Sequence, residues 1–263
     1  MITDTLGLVE KIVTEIRNNV DLAVIGLSGG ADSTLVACLC VKALGKDNVY
    51  GVHMPFGEYD KNTFNKKSVI FANHIGIKQQ TIDIKESFLN LKDQVSLDID
   101  RMTEGNTRAR LRMSSLYMVA GILNTTTNKR VRVMNTCNTS ETKIGYESKF
   151  GDGAGDLSPI GKFYKSEVYQ LLDFFKNEEI ITEDMIDRVP SAGLWPSQTD
   201  ESELGYSYNE MEPFVRLIDS ALRPTKFLNK KDEEIFNFVL KKYLANEHKM
   251  KPMPVIEIRE FCD

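Results

Sequence analysis

The sequence has few cysteines and no long apolar run, and these absences exclude several classes of protein. Its 263 residues include four cysteines, none in a C-x-x-C pair, which is too few for a disulfide scaffold. No stretch of about 18 apolar residues could span a membrane. The N-terminus lacks the apolar core and cleavage site of a signal peptide. We therefore expect reduced thiols and a cytoplasmic protein without a membrane partner.

The chain also lacks an excess of positive charge. It has 33 lysine and arginine residues against 38 aspartate and glutamate residues, a formal net charge of −5. Proteins that neutralise nucleic-acid phosphates generally carry a basic surface, so we expect no nucleic-acid partner. What is present is an ordinary globular composition, 41% hydrophobic and 27% charged, over a length that suits one large domain.

Short apolar runs alternate along the chain with segments of helical periodicity. Strands are predicted at 22–27, 48–54, 78–84 and 130–135, and helices at 6–17, 34–44, 63–75, 107–123, 165–177, 207–221 and 231–246. This alternation is typical of βαβ units with right-handed crossovers. The predicted fold is therefore α/β: a single-domain, doubly wound parallel sheet flanked by helices, with a helical C-terminal part.

A glycine-rich turn, Ser28-Gly29-Gly30-Ala31-Asp32-Ser33, follows the first predicted strand and precedes a helix. Open parallel sheets bind ligands at this position, and the helix N-terminus offers unpaired N–H groups to a phosphate. Asp32 would repel phosphates unless a divalent cation lies between them, so the turn predicts Mg²⁺. The pattern matches neither of the two common phosphate loops. The alternative interpretation is an ordinary turn with a serine or aspartate N-cap.

The motif S-G-G-x-D-S resembles the pyrophosphate loop of the N-type ATP pyrophosphatases, and later segments narrow the resemblance to the NAD synthetases. Those segments are Gly105-Asn106 with Ala109-Arg-Leu-Arg-Met113, Asn138-Thr-Ser-Glu-Thr-Lys-Ile-Gly145, Lys149-Phe-Gly-Asp-Gly-Ala-Gly-Asp156 with Tyr164-Lys165, residues 190–201, and His248-Lys249. Gly193 and Ser197 depart from the family pattern.

The resemblance implies a fold like that of the adenine nucleotide alpha hydrolases. It also implies ATP-dependent amidation of deamido-NAD with ammonia through an adenylate, the last step of NAD biosynthesis. A homodimer is implied as well. Residues 1–263 are expected to form a single synthetase domain without a glutaminase domain, so that free ammonia is the expected nitrogen source.

The resemblance also implies roles for individual residues. Asp32 and Glu141 would bind Mg²⁺, and together with Lys165 they would be catalytic. The implied ATP contacts are Gly26, Leu27, Ser28, Gly29, Gly30, Ala31, Asp32, Ser33, Thr136, Lys165 and Ser191. The implied deamido-NAD contacts are Arg110, Lys149, Asp156, His248 and Lys249. Asp152 is a further catalytic candidate, as the acceptor of a proton from ammonium.

Three other functions remain as alternatives. A GMP-synthetase-like domain would need a different nucleotide site, and the Lys149-Phe-Gly-Asp-Gly segment argues against it. A non-catalytic ATP sensor would not need Asp32 and Glu141. A tRNA-thiolating enzyme would want a basic surface or paired catalytic cysteines, whereas Cys38 and Cys40 lie on a predicted helix. Segments 80–105 and 190–205 are predicted lids, because an adenylate exposed to water would hydrolyse.

Overall fold

Four parallel strands of the described chain form the central sheet. The computed structural model describes residues 1–62, 64–187, 189–191, 199–224 and 226–256. The strands are β1 (Leu22–Gly26), β2 (Val49–His53), β3 (Lys78–Thr81) and β4 (Val131–Met134). They pair in parallel in the order β3-β2-β1-β4. The chain builds outward from β1 to β3 and then returns to add β4 on the other side of β1. The boundary between β1 and β4 is therefore a switch in topology.

Helices precede, connect and follow these strands. They are α1 (Thr5–Asn19), α2 (Ala31–Leu44), α3 (Glu58–Asn62), α4 (Phe64–His74), α5 (Lys85–Lys92), α6 (Arg101–Thr127), α7 (Thr139–Lys143), α8 (Lys165–Asn177), α9 (Asp200–Leu204), α10 (Tyr208–Asp219) and α11 (Lys230–Met250). The Asp100 carboxylate starts α6 by accepting a hydrogen bond from the Thr103 N–H at 2.6 Å. This cap explains why α6 is longer than the predicted helix 107–123.

Helices cover both faces of the sheet, and β1 shows the division most clearly. Ala23 and Ile25 belong to the core that α1, α2 and α8 form on one face. Leu22 and Val24 belong to the core that α6 forms on the other face. Burial of a leucine, isoleucine or valine side chain contributes about 1.5–3 kcal/mol, so both faces of the strand stabilise the sheet. The predicted doubly wound parallel sheet flanked by helices is confirmed.

A separate apolar cluster joins the C-terminal helices to the segment that follows β4. Ile144, just after α7, packs with Met211 and Val215 of α10 and with Val239 of α11. Gly145 has a φ of +65°. A Cβ atom built on it would lie 2.1 Å from the Asn246 Cβ of α11. The predicted helical C-terminal part is therefore confirmed, and α11 packs directly against the chain after α7.

Some sequence expectations need correction or lie outside the described residues. Segment 80–105, predicted as a lid loop, contains α5 and the beginning of α6, and Phe88 of α5 is buried at 2% exposure. The five-residue helices α3, α7 and α9 were not predicted, because a single turn has too few residues to show periodicity. Gly193 and Ser197 lie outside the described residues, with most of segment 190–205. Within the described ranges, every helix is too short or too polar to cross a membrane.

Candidate active site

The glycine-rich turn lies between β1 and α2, at the carboxyl edge of the sheet. Gly29 has a φ of +74°, a conformation that favours glycine. The Ser33 hydroxyl donates a hydrogen bond to the Gly30 carbonyl at 3.1 Å, and the Gly30 N–H donates to the Ser28 hydroxyl at 3.2 Å. The serine side chains thus hold the turn in shape beside the α2 N-terminus. Unpaired N–H groups and the positive dipole end at this terminus suit a phosphate.

A cavity of about 590 Å³ opens beside this turn. Its lining includes most of the predicted ATP contacts: Gly26, Leu27, Ser28, Gly30, Ala31, Asp32, Ser33, Thr136, Lys165 and Ser191. Thr136 and Glu141 follow β4, whereas the turn follows β1, and the two strands are neighbours in the sheet. The cavity therefore lies at the switch in topology, where open α/β sheets bind ligands.

Two carboxylates and one ammonium meet in this cavity. The Lys165 Nζ atom lies 2.5 Å from Asp32 Oδ2 and 3.1 Å from Glu141 Oε1. Asn138 supports both residues: its Nδ2 donates to Asp32 Oδ1 at 2.9 Å, and its Oδ1 accepts from the Glu141 N–H at 3.1 Å. The Asn138 N–H donates in turn to Glu141 Oε2 at 3.5 Å. Asn138 and Glu141 form the capping box of α7. Three helices separated in sequence, α2, α7 and α8, thus converge on one charged cluster.

Burial dominates the electrostatics of this cluster. It raises the pKa of Glu141, while the Lys165 ammonium opposes that shift and the Asp32 carboxylate adds to it. Burial alone would lower the pKa of Lys165, which is 4% exposed, but the two carboxylates overcome that effect and raise it. The lysine therefore stays charged.

Asp200 and Arg112 also line the cavity, although neither is among the predicted site residues. Asp200 is 4% exposed; its Oδ2 accepts a hydrogen bond from the Tyr208 hydroxyl at 3.0 Å, while its Oδ1 is buried without a hydrogen-bond partner. The Asp200 N–H donates to the Pro190 carbonyl at 2.9 Å. Arg112 donates from Nε to the Met54 carbonyl at 3.0 Å. Asp200 lies within the matched segment 190–201, so position in that motif was the one available signal.

The donor set of the cavity fits a hard divalent cation. Asp32 and Glu141 already share one cation, the Lys165 ammonium, and their carboxylate oxygens are the ligands that Mg²⁺ prefers. The unpartnered Asp200 Oδ1 adds anionic character nearby. Within the described ranges no three His, Cys, Asp or Glu side chains already converge as a metal-binding group. Mg²⁺ commonly keeps water and substrate phosphates among its ligands, so two carboxylates suffice.

Asp152 lines the same cavity. Its Oδ1 accepts a hydrogen bond from the Ser148 N–H at 2.8 Å. Its carboxylate is accessible from the cavity, yet the surrounding protein desolvates it and raises its pKa. The Asp152 carbonyl accepts from Asn135 Nδ2 at 3.0 Å, which fixes the turn to the end of β4. A raised pKa is what a group that accepts a proton near neutral pH requires.

The predicted dinucleotide contacts do not gather in this cavity. Lys249 lines it, but its Nζ atom donates to the carbonyls of Gly145 and Glu147 at 2.7 and 2.8 Å. Arg110, Lys149 and His248 lie outside the lining and contact one another. Arg110 Nε donates to the Lys149 carbonyl at 3.2 Å, and Lys149 Nζ donates to the His248 carbonyl at 2.8 Å.

Asp156 also lies outside the cavity lining, and both of its carboxylate oxygens already have partners. Oδ2 accepts a hydrogen bond from the Val133 N–H at 2.8 Å, and Oδ1 accepts one from the Tyr117 hydroxyl at 3.1 Å. The carboxylate is therefore tied to β4 and to α6. The role of Asp156 as a substrate contact stays a prediction.

Comparison with known proteins identifies a family that this chain resembles. The model of the NAD synthase family matches residues 2–253. The chain is 40% identical over 257 residues to the NH₃-dependent NAD⁺ synthetase of Methanosarcina acetivorans, covering 94% of this chain and 96% of that protein. It is 37% identical over 250 residues to the enzyme of the same name from Pyrococcus furiosus, covering 92% of each chain.

Solved structures give a consistent result. An NMN synthetase from Francisella tularensis superimposes with a TM-score of 0.80 at 28% identity, covering 98% of this chain and all of that one (100%). The NH₃-dependent NAD synthetase from Campylobacter jejuni superimposes with a TM-score of 0.73 at 26% identity, covering 97% of this chain and 100% of that one. The fold and the sequence thus point to the same group of proteins.

Proposed function

The chain belongs to the NAD synthase family, and from this premise we propose that it is an ammonia-dependent ligase that converts deamido-NAD to NAD. It forms a C–N bond between the nicotinate carboxyl group and ammonia. ATP is consumed and AMP and pyrophosphate are released. The reaction is the last step of NAD biosynthesis.

The meeting of Asp32, Glu141 and Lys165 beside the glycine-rich turn carries this proposal. A turn that offers N–H groups to phosphates, next to two carboxylates and an ammonium, is suited to an attack at the α-phosphorus of ATP. A packing role alone would not place three charged groups in one cavity, because burying charge without a function is unfavourable.

The residues of the cavity have distinct tasks in the first half-reaction. The turn and the first N–H groups of α2 bind the departing pyrophosphate, and Ser28 and Ser33 keep the turn in shape. Lys165 neutralises charge on the phosphates as the nicotinate oxygen attacks the α-phosphorus. Asp32 and Glu141 would hold Mg²⁺, which when bound supplies charge neutralisation of the phosphates. The product of this half-reaction is the substrate adenylate.

Asp152 serves the second half-reaction. Ammonia is mostly ammonium at neutral pH and must lose a proton before its lone pair can attack the acyl carbon. The raised pKa of Asp152 suits it to accept that proton. Attack on the mixed anhydride then forms the amide and releases AMP. The Ser148 N–H and the Asn135 side chain orient Asp152 toward the cavity.

The functional unit we propose is a homodimer in the cytoplasm. Met118 and Ile122, one helical turn apart on α6, are 57% and 55% exposed, a pair of large apolar side chains on the outer face of that helix. Pairing of two such faces would remove them from water. The buried, unpaired thiols of Cys38, Cys40 and Cys137 are compatible with a reducing compartment.

The deciding assay combines the purified protein with ATP, Mg²⁺, deamido-NAD and ammonium and follows NAD and AMP. We expect equal amounts of both products. Omission of ammonium should abolish NAD formation. Folded protein that forms no NAD under these conditions would refute the proposal. A stable protein that forms AMP without NAD would refute the amidation step alone.

A second candidate substrate follows from the fold comparison. The TM-score of 0.80 to an NMN synthetase favours testing the mononucleotide whose amidation yields NMN. The catalytic cavity would serve both substrates, because both carry the same reacting nicotinate carboxyl group. They differ only in whether the AMP half of the dinucleotide is present. The ratio of kcat/KM for the dinucleotide and the mononucleotide, measured in one preparation, distinguishes the two. We expect the ratio to favour the dinucleotide.

A further inference from the structure

The Lys165 ammonium occupies the space between the two proposed metal ligands. Its Nζ atom is within hydrogen-bond distance of Asp32 Oδ2, at 2.5 Å, and of Glu141 Oε1, at 3.1 Å. The side chain is almost fully buried, with 5% of it exposed. A cation held between two carboxylates in this way already does what a metal ion would do there: it offsets their mutual repulsion.

The carboxylates are fixed by other contacts, whereas the ammonium is not. Asn138 holds both of them, Asp32 through its Nδ2 atom and Glu141 through the capping box of α7. The backbone of Lys165 is fixed by the Ser140 hydroxyl, which accepts from the Lys165 N–H at 3.0 Å. The end of the side chain is a compact charge on a flexible four-carbon stem. The ammonium can therefore move while the carboxylates keep their places.

The surroundings offer the ammonium further anionic partners. The Lys165 Nζ atom lies 5.4 Å from the centre of the Tyr208 ring, and the Tyr208 hydroxyl bonds to Asp200 Oδ2. The second oxygen of Asp200 is buried and lacks a hydrogen-bond partner. Two carboxylates thus contact the ammonium directly, and the Asp200 carboxylate interacts with it electrostatically from a greater distance. When all three are ionised, the cluster carries an excess of negative charge. A second cation would correct that excess if the ammonium made room for it.

We propose that Lys165 is an exchangeable counter-ion: its ammonium holds Asp32 and Glu141 together in the nucleotide-free enzyme and keeps divalent cations out, and it leaves them when metal and ATP arrive together. The phosphates and Asp200 then take over as its partners. The inference rests on the proposed function, because it takes Asp32 and Glu141 as the metal ligands. Its consequence is that metal and nucleotide bind together, and that the metal alone binds weakly.

The test is a titration of nucleotide-free protein with Mn²⁺, in which electron paramagnetic resonance measures the free ion. Replacing Lys165 by methionine keeps the length of the side chain and removes the charge. We expect Lys165→Met to bind Mn²⁺ at least about tenfold more tightly than the wild type. Lys165→Arg retains the charge and should bind as weakly as the wild type. Lys230→Met is the matched control, because Lys230 also begins a long helix but its side chain is 89% exposed.

Equal or weaker Mn²⁺ binding by folded Lys165→Met overturns the inference, and so does tight Mn²⁺ binding by the nucleotide-free wild type. If Lys165→Met does not fold, Lys165→Gln replaces it with the same expected gain. The double variant with Asp32→Asn should lose that gain. A gain that survives in the double variant would place the metal elsewhere and also overturn the inference.

Wild-type protein with a non-hydrolysable ATP analogue separates this inference from the function proposed above. Mn²⁺ binding in that complex should depend on Asp32. If Asp32→Asn has no effect there, the proposed metal site itself is wrong. If Asp32→Asn abolishes binding but Lys165→Met gains nothing, the metal site stands and only the counter-ion role is refuted.

Discussion

Substitution of Gly145 by alanine tests how closely α11 is coupled to the catalytic cavity. Gly145 follows α7 with a φ of +65°, and a Cβ atom there would lie 2.1 Å from Asn246 Cβ and 2.2 Å from Asn246 Cγ. These are the inner atoms of the Asn246 side chain, so rotating its far end would not relieve the overlap. Either α11 or the chain at Gly145 must move. The hydrogen bonds from Lys249 of α11 to the carbonyls of Gly145 and Glu147 join these two segments, so such a movement would disturb them.

The magnitude has two parts. An alanine in the left-handed region costs about 1–2 kcal/mol. Overpacking of a filled site costs about 1–3 kcal/mol more. We therefore expect Gly145→Ala to lower the free energy of unfolding by about 2–5 kcal/mol. Gly205 is the matched control, because its φ is +80° and no atom lies within 4 Å of the Cβ position. Gly205→Ala should show only the backbone part, about 1–2 kcal/mol.

Urea unfolding of both variants, followed by circular dichroism, measures the difference. If Gly145→Ala is no more destabilised than Gly205→Ala, the packing of α11 against Gly145 is wrong. Activity is the second readout. Displacement of α11 would break the Lys249 bonds to the segment that leads to Asp152, so kcat/KM should fall in folded Gly145→Ala and stay near wild type in Gly205→Ala. Unchanged activity in both variants would show that α11 does not position that segment.

Three further predictions concern the metal site, pH and assembly. Asp32→Asn and Glu141→Gln should each lower kcat/KM by at least about 100-fold in protein that still folds; near-normal activity in both would refute the metal assignment. The hydrogen bonds from Arg130 lower the pKa of Asp21 from 3.8 to about 2, so this pair stabilises the protein above pH 3.8 and loses that effect as pH falls toward about 2. Asp21→Asn should remove this part of the pH dependence of unfolding, and a profile identical to wild type would contradict it. Ile122→Glu should convert the proposed dimer to a monomer in light scattering, and a dimer that persists would exclude this face of α6 as the interface.

Much of the fold was predictable because its signals are local. The run 22–27 is continuously apolar, as expected of a strand buried on both faces, and β1 is such a strand. The helix at 165–177 was predicted with its observed bounds, since an amphipathic pattern over more than three turns is distinctive. The short helices α7 and α9 were missed, because their formation depends on capping boxes and tertiary packing rather than on periodicity.

The candidate site was likewise predictable only in part. Asp32, Glu141 and Lys165 were identified from motifs, and the structure brings all three to one point. Asp200 was not singled out, because an aspartate in an acidic segment is indistinguishable from its neighbours until burial is known. Arg110, Lys149 and His248 matched a motif equally well, yet they do not line the cavity. A motif indicates which residues a family retains, but it does not show how far apart their side chains lie in the folded protein.

The sequence by itself determined the α/β class, the phosphate-binding turn at Ser28 and the family. Each of these depends on local patterns or motifs of residues that are adjacent in the chain. The tertiary structure decided which charges share a cavity. Lys165 lies between Asp32 and Glu141 only because β4 pairs with β1 and Asn138 ties α7 to α2. Electrostatic interactions depend on distance and burial, and both are set by the packing of elements far apart in the chain.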